Sequence, residues 1–177
     1  MEFAYAADFI FTTTIPSLRH GNDGLIFTSR RAPYKTGTCE DILKWKPLNE
    51  NTVDVLVRLS DASWPETPDE IPLVDGLIKL KEGFGLFKQI KVPRKTLESL
   101  GLQTIDDLDR KVVEVGLEED GISWSLRRIR DDKDGPNYVT VVESIMESIE
   151  DAVSEEALLE YMPCVRKEWK QRAKLGM

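Results

Sequence analysis

Apolar and polar positions change their period along the chain. From residue 52 to 59 they alternate, Val53, Val55, Val57 and Leu59 against Thr52, Asp54, Leu56 and Arg58. A period of two predicts a half-buried strand. A loop carrying Pro65, Pro68 and Pro72 follows. Strands are then predicted over Gly76 to Lys81 and Phe84 to Val92, parted by the turn-like Glu82 and Gly83, and Pro93 closes the second. Over KTLESLGLQTIDDLDRK the spacing becomes helical at Leu97, Leu100, Ile105 and Leu108, and Gly101 splits it into two short turns. Strands predicted at Lys111 to Leu117 and Ile122 to Arg130 meet across Glu118 to Gly121.

Three strands, a helix and two strands is the order of a five-stranded Greek-key OB barrel. Upstream, the chain reads as strand-like: Phe9, Ile10 and Phe11 run into Thr12 to Ile15 and stop at Pro16, and Leu25 to Thr28 and Ile42 to Lys46 follow. So short a region cannot pair all these strands by itself, so it reads as part of a larger sheet. Downstream, Val142, Ile145, Met146, Ile149 and Val153 recur at three and four residues, the apolar face of a helix. Acids (Glu143, Glu147, Glu150, Asp151, Glu155, Glu156, Glu160) precede cations (Arg166, Lys167, Lys170, Arg172, Lys174), an order that suits the helix dipole and describes either a solvated face or a binding surface. The fold class is therefore mainly β with C-terminal helices, in three regions at 1–47, 48–138 and 139–177.

Charge narrows the choice of partners. With 32 acidic against 24 basic side chains the net charge is −8, so any site for a polyanion must be local. Cys39 and Cys164 are too few for a disulfide framework, which favours a reducing compartment. The opening MEFAYAADFIFTTTIP carries Glu2 and Asp8 and lacks a basic start, and no apolar run approaches membrane-spanning length. No membrane partner is expected.

Three clusters carry candidate chemistry. In LKWKP, Lys44 and Lys46 are two apart on a strand and project together, with Trp45 turned away. Two ammonium groups so close are tolerable on a solvated face, or useful where a phosphate chain neutralises both. In WSLRRIRDDKDGPN, Ile122, Trp124, Leu126, Arg128 and Arg130 fall on one face by parity, so an apolar strand ends in two guanidinium groups with Asp132 and Lys133 beside them. Such forks bind phosphate oxygens bidentately, with carboxylates to hold them, or form an ordinary surface ion-pair patch. In HGNDGLIF, Asp23 sits in an Asn-Asp-Gly turn, where a carboxylate can also hold a divalent ion beside phosphates. His20, the one histidine, reads as structural.

Taken in order, HGNDGLIF, LKWKP followed by NTVD, and W-x-L-x-R-I-R-x-D-K-x-x-P-N resemble successive signature motifs of the eukaryotic mRNA capping enzymes, the GTP:RNA guanylyltransferases, and MEFAY resembles the segment before the first of them. The resemblance spans about Met1 to Asn137. It implies an enzyme in which a lysine of a K-x-D-G motif attacks the α-phosphate of GTP, forms lysyl-GMP with release of pyrophosphate, and passes GMP to the diphosphate end of RNA. It implies that residues 1–47 are the end of a nucleotidyltransferase domain, that Lys44 and Lys46 contact the α-phosphate, and that Asp23 assists a Mg²⁺ or Mn²⁺ ion. Arg128, Arg130, Asp132 and Lys133 match the OB-domain motif that closes over the β- and γ-phosphates. The cations would act on charge developing in phosphoryl transfer.

The resemblance also implies a nuclear protein. Its partners would be the 5′ end of nascent RNA, the phosphorylated C-terminal tail of RNA polymerase II, the repetitive tail of a transcription elongation factor, and a separate RNA triphosphatase subunit. No K-x-D-G occurs in these residues; the nearest string, Lys133-Asp134-Gly135, lacks the intervening residue. The chain is therefore expected to be the C-terminal half of such an enzyme and inactive alone, with a docking module for a tail peptide as the alternative reading. Leu126, where the family usually has an aromatic, and Ser29, where it often has proline, are smaller departures.

Overall fold

The computed structural model describes residues 2–37, 39–60 and 70–175, and the predicted loop positions Pro65 and Pro68 lie outside them. The chain divides into two compact units, Leu48–Asp151 and Met1–Pro47 with Ala152–Met177.

In the first unit five strands close a barrel: β3 (Thr52–Arg58), β4 (Leu73–Lys79), β5 (Phe84–Lys91), β6 (Val112–Leu117) and β7 (Trp124–Ile129), in the order β3-β4-β5-β7-β6. This is the five-stranded barrel with an intervening helix that the strand order predicts. α3 (Arg94–Ser99) and a 3-10 turn (Ile105–Leu108) stand between β5 and β6. Gly101 separates them with φ of 72°, a left-handed conformation that costs glycine no Cβ clash, and Leu102 N–H returns to the Leu97 carbonyl. The alternating valines fill the barrel: Val53, Val55, Val57, Val113 and Val115 are all but inaccessible, as are Ile90 and Trp124. Leu97, Ile105 and Leu108 join this core, and α4 (Val139–Glu150) adds Val142 with Ile145, Met146 and Ile149. Each such side chain contributes roughly 1.5–3 kcal/mol by leaving water.

The barrel closes where β5 and β7 run parallel for only two pairs, Ile90 with Trp124 and Lys91 with Ser125. So short a ladder is reinforced by side chains. Lys91 Nζ donates to Glu118 at 2.8 Å, the Ser125 hydroxyl donates to the same carboxylate, and Asp120 accepts the N–H groups of Ile122 and Ser123.

The strand parity expected for β7 does not hold. The β6–β7 register shifts between Glu114 and Val115, so Leu126 faces Val115 while Arg128 faces Glu114, and Arg127 is the extra residue. Trp124 and Leu126 therefore enter the core, and Arg128 and Arg130 go to the outer face. Ile122, predicted to begin this strand, lies outside it and is exposed.

In the second unit β1 (Leu25–Thr28) and β2 (Ile42–Trp45) form an antiparallel pair. The strand predicted from Phe9 to Ile15 is instead helical: a 3-10 turn (Ala4–Ala6), α1 (Ala7–Phe9), a π turn (Ile10–Thr14) and α2 (Ile15–Ser17) run on without a break. β-branched threonines favour a strand, but burial of Ala7 and packing of Phe3 and Tyr5 against Trp169 of α5 (Glu155–Lys174) outweigh that preference. Pro16, read as a stop, lies inside the run, which ends one residue later at Ser17 with Leu18 extended. No helix among the described residues is long and apolar enough to cross a membrane.

Gly76 lies against the barrel core, at the irregularity of the β4–β5 ladder. A Cβ there would lie 2.9 Å from Ile90 and 3.2 Å from Val55, both fully buried. Gly76→Ala should cost about 1–3 kcal/mol by overpacking, read from the urea midpoint, and an unchanged midpoint would contradict the close packing.

Candidate functional site

The two lysine-rich and arginine-rich clusters each fall in one unit, and each is organised by carboxylates. On the β1–β2 pair, Lys44 lies opposite Ile26 and Trp45 opposite Leu25. Trp45 turns away as its parity requires: its ring meets Phe11 edge-on at 5.3 Å, and its Nε1 donates to the Val153 carbonyl at 2.9 Å. Lys44 and Lys46 share the other side. Asp23 Oδ2 bridges them, accepting from Lys44 Nζ at 3.0 Å and lying 3.4 Å from Lys46 Nζ. The hydrogen bond from Lys44, with the charge of both lysines, holds the Asp23 carboxyl below its usual value.

Gly24 makes this possible. With φ of 131°, it lets the chain pass so close to β2 that a Cβ would lie 2.0 Å from the Trp45 carbonyl oxygen. Asn22 Oδ1 accepts from Gly24 N–H and completes the turn. The Asn-Asp-Gly sequence is thus a turn whose carboxylate is aimed at the lysine pair.

On the barrel, Asp54 of β3, Glu114 of β6 and Arg128 of β7 are successive partners across three adjacent strands. Arg128 donates to Glu114 from Nε at 3.1 Å and Nη2 at 2.8 Å, and remains 59% exposed. Arg130 is 14% exposed and meets three carboxylates: Nη1 donates to Asp54 at 2.8 Å and Glu114 at 3.1 Å, and Nε and Nη2 each donate to Asp132 at 2.8 Å. Lys133 Nζ lies 3.9 Å from Asp54. Asn137 secures Asp54 from behind: its Oδ1 accepts from Asp54 N–H at 2.7 Å and its own N–H donates to the Asp54 carbonyl at 2.8 Å.

The electrostatics follow from this network. The two-point bond from Arg130 drives the Asp132 carboxyl far below the usual range, and the Asp132 bond raises the Arg130 guanidinium further. The bond to Glu114 raises Arg128. Asp54 goes the other way: burial outweighs Arg130 and Lys133 and raises its pKa. Beside this hub a cavity of about 340 Å³ is lined by Arg110, Lys111, Arg130 and Lys133 together with Asp131 and Asp134.

The sequence-predicted site residues Arg128, Arg130, Asp132 and Lys133 thus gather at one place on the barrel, and Asp23, Lys44 and Lys46 at one place in the other unit. Reasoning from sequence missed Asp54 and Glu114, which hold Arg130. Asp54 ends the NTVD string of the second motif but looked like the polar side of an alternating strand, whereas its outer face is buried under the hub, and Glu114 carried no signal. Asn137 ends the third motif, and its role appears only once Asp54 is placed. His20 lies in an exposed turn, with Nδ1 2.8 Å from the Gly21 carbonyl oxygen.

The resemblance implies a divalent ion near Asp23. The residues do not fit a resident metal site: a dication there would face two ammonium groups, and among the described residues no group of three or more His, Cys, Asp or Glu side chains gathers. What the two clusters offer is ammonium and guanidinium groups, fixed in direction by carboxylates, for an anion.

The barrel unit is a five-stranded OB-type barrel with an arginine-rich last strand, and the other unit carries a strand pair with two lysines. The family described as "mRNA capping enzyme, C-terminal domain" matches residues 50–159, and "mRNA capping enzyme, catalytic domain" matches residues 1–48. The chain belongs to the mRNA capping enzyme family. It is 38% identical over 181 residues to the mRNA-capping enzyme subunit alpha of Schizosaccharomyces pombe, covering 98% of this chain and 44% of that protein. It is 36% identical to the subunit alpha of Neurospora crassa (98% and 48%) and 29% identical over 147 residues to the mRNA-capping enzyme of Caenorhabditis elegans (81% and 22%). The chain spans about half the length of the curated fungal relatives it matches.

Arg130 has four of its five N–H donations committed to carboxylates. Arg130→Leu should cost about 3 kcal/mol, because Asp54 and Glu114 then face each other at a buried site with only Arg128 on Glu114 and the more distant Lys133 near Asp54 to offset them. Its stability should fall as pH rises, since burial already sets the folded pKa of Asp54 above the unfolded one and loss of Arg130 widens that gap. Asp132→Asn, an exposed change, should cost far less. Urea unfolding between pH 4 and 8 checks both, and equal costs for the two variants would contradict the hub.

Proposed function

We propose that these residues belong to an mRNA guanylyltransferase that moves GMP from GTP, through a lysyl-GMP intermediate, to the 5′-diphosphate end of nascent RNA. The observation that supports this most is the placement of two carboxylate-held cation clusters in the two segments matched by the family's catalytic and C-terminal domains. On this reading Lys44 and Lys46 exchange Asp23 for the α-phosphate, whose charge rises as pyrophosphate departs. Arg128 and Lys133, more exposed than Arg130, meet the β- and γ-phosphates, and Arg130 joins them by releasing Asp132, its most exposed partner. The barrel unit acts as a lid that closes for the first step and opens for RNA. Magnesium or manganese arrives as part of the nucleotide substrate. The setting is nuclear, alongside the phosphorylated tail of RNA polymerase II and a triphosphatase subunit.

These residues contain no K-x-D-G, so the 177-residue chain alone should form no enzyme–GMP adduct. Incubation with α-labelled GTP and Mg²⁺ followed by a denaturing gel should show no labelled band, and a band would overturn the assignment of the nucleophile. The same chain should still bind GTP weakly, and Lys44→Ala with Lys46→Ala should weaken that binding about tenfold or more, as expected for losing two charge-assisted contacts of roughly 1 kcal/mol each. Calorimetry reads it.

A second reading, a docking module for the repetitive tail of an elongation factor or polymerase, has one observation in its favour. β5 pairs with β7 only at Ile90 and Lys91, so among the described residues its first six positions have no strand on that side, and Phe84 and Leu86 are exposed there. An extended peptide adds to such an edge.

A further inference from the structure

We propose that the face shared by the N-terminal helical run and the second half of α5 is a binding track for single-stranded RNA, holding the strand behind the 5′ end that is modified. Three observations carry it. From 166 to 174, α5 presents Arg166, Lys167, Lys170, Arg172 and Lys174 against the single acid Glu168, all exposed, on a chain whose net charge is −8. Lys167 and Lys170, with Arg166, line a groove of about 610 Å³ floored by Leu159, Met162 and Pro163, with Tyr5 and Asp8 opposite.

Beside these cations sits an aromatic group that the fold assembles from opposite ends of the chain. Phe3 and Tyr5 stack at 5.4 Å with planes 7° apart, Trp169 leans on both at 5.2 Å, and Arg166 lies over the Tyr5 ring at 5.7 Å. Phe3 and Trp169 keep exposed surface. Cations alone would suit any polyanion. Cations interleaved with partly exposed rings suit a strand whose bases each have a face to stack, and this favours single-stranded nucleic acid over a phosphorylated peptide.

This inference rests on the reading of the chain as part of an RNA-modifying enzyme, but its test involves no GTP and no reactive RNA end. A fluorescent 12-nucleotide RNA with a 5′-hydroxyl is titrated with the 177-residue chain by anisotropy at several salt concentrations, and Lys167→Glu/Lys170→Glu and Lys167→Ala/Lys170→Ala are compared. Both sites are exposed, and unchanged circular dichroism controls for folding. The double alanine variant should bind about 25-fold more weakly at 0.1 M salt and lose about 1.4 from the slope of log K against log salt, as for two phosphate contacts on a single strand. The glutamate variant should lose more. Lys81→Ala/Lys95→Ala, on the barrel unit, should change neither. Equal binding by wild type and the alanine variant, no binding by wild type, or equal competition by a doubly phosphorylated peptide would each overturn the proposal. Intact RNA binding alongside lost GTP binding would instead count against the proposed nucleotide site alone.

Discussion

Cations of like charge held within a few ångströms of one another on folded strands need an anion between them, and this constraint shapes both clusters. At a few ångströms two ammonium groups repel by several kcal/mol at the effective dielectric of a protein surface. Asp23 answers this for Lys44 and Lys46, and Asp54, Glu114 and Asp132 answer it for Arg128, Arg130 and Lys133. The carboxylates have two consequences. They keep the cations aimed, which a phosphate site needs, and they occupy the donors that a phosphate would take. On the proposed function, a nucleotide would bind by exchange, displacing the most exposed carboxylates while the buried ones keep the frame.

The two clusters differ in how much of that frame is permanent. Asp23 is exposed, so its bonds to the lysines are weak in water and easily exchanged. On the barrel, Asp54 is buried and backed by Asn137, and Glu114 lies between Arg128 and Arg130. Removing either partner there leaves a buried charge. Arg130 thus combines a structural role with the phosphate role its motif suggests, and Asp132 is the part that can move. The register shift at Arg127 places both arginines outside the core, and without it the parity of β7 would drive Arg128 toward the valines of β3 and β6.

Much of this was legible in the sequence. The period-two valines predicted the first barrel strand and the turn residues bounded the others, though β4 begins at Leu73 and not Gly76; Gly101 divided the helical insert, and the three motifs contained most of the residues that gather at the two clusters. What the sequence hid has identifiable causes. A β-bulge inverts parity without any local residue signal, so the facing of Arg128 could not be read. Asp54 is polar on an alternating strand, and only its pairing with β6 and the return of Asn137 reveal it as buried. The helical run from Ala4 to Ser17 contradicts the strand preference of its threonines because residues some 160 positions away, on α5, supply the packing. The same separation concealed the aromatic group of Phe3, Tyr5 and Trp169.

The exchange of carboxylates for phosphates is tested most directly by observing the cations themselves. In ¹⁵N-labelled chain, the side-chain Nζ and Nε resonances are followed by NMR during titration with inorganic triphosphate, which has the phosphates of the nucleotide and none of its base. The account predicts saturable shifts for Lys44, Lys46, Arg128 and Lys133, and for Arg130 Nε as Asp132 lets go, with Lys81 and Lys95 unmoved. Shifts spread evenly over all exposed lysines, or none at the two clusters, would contradict it.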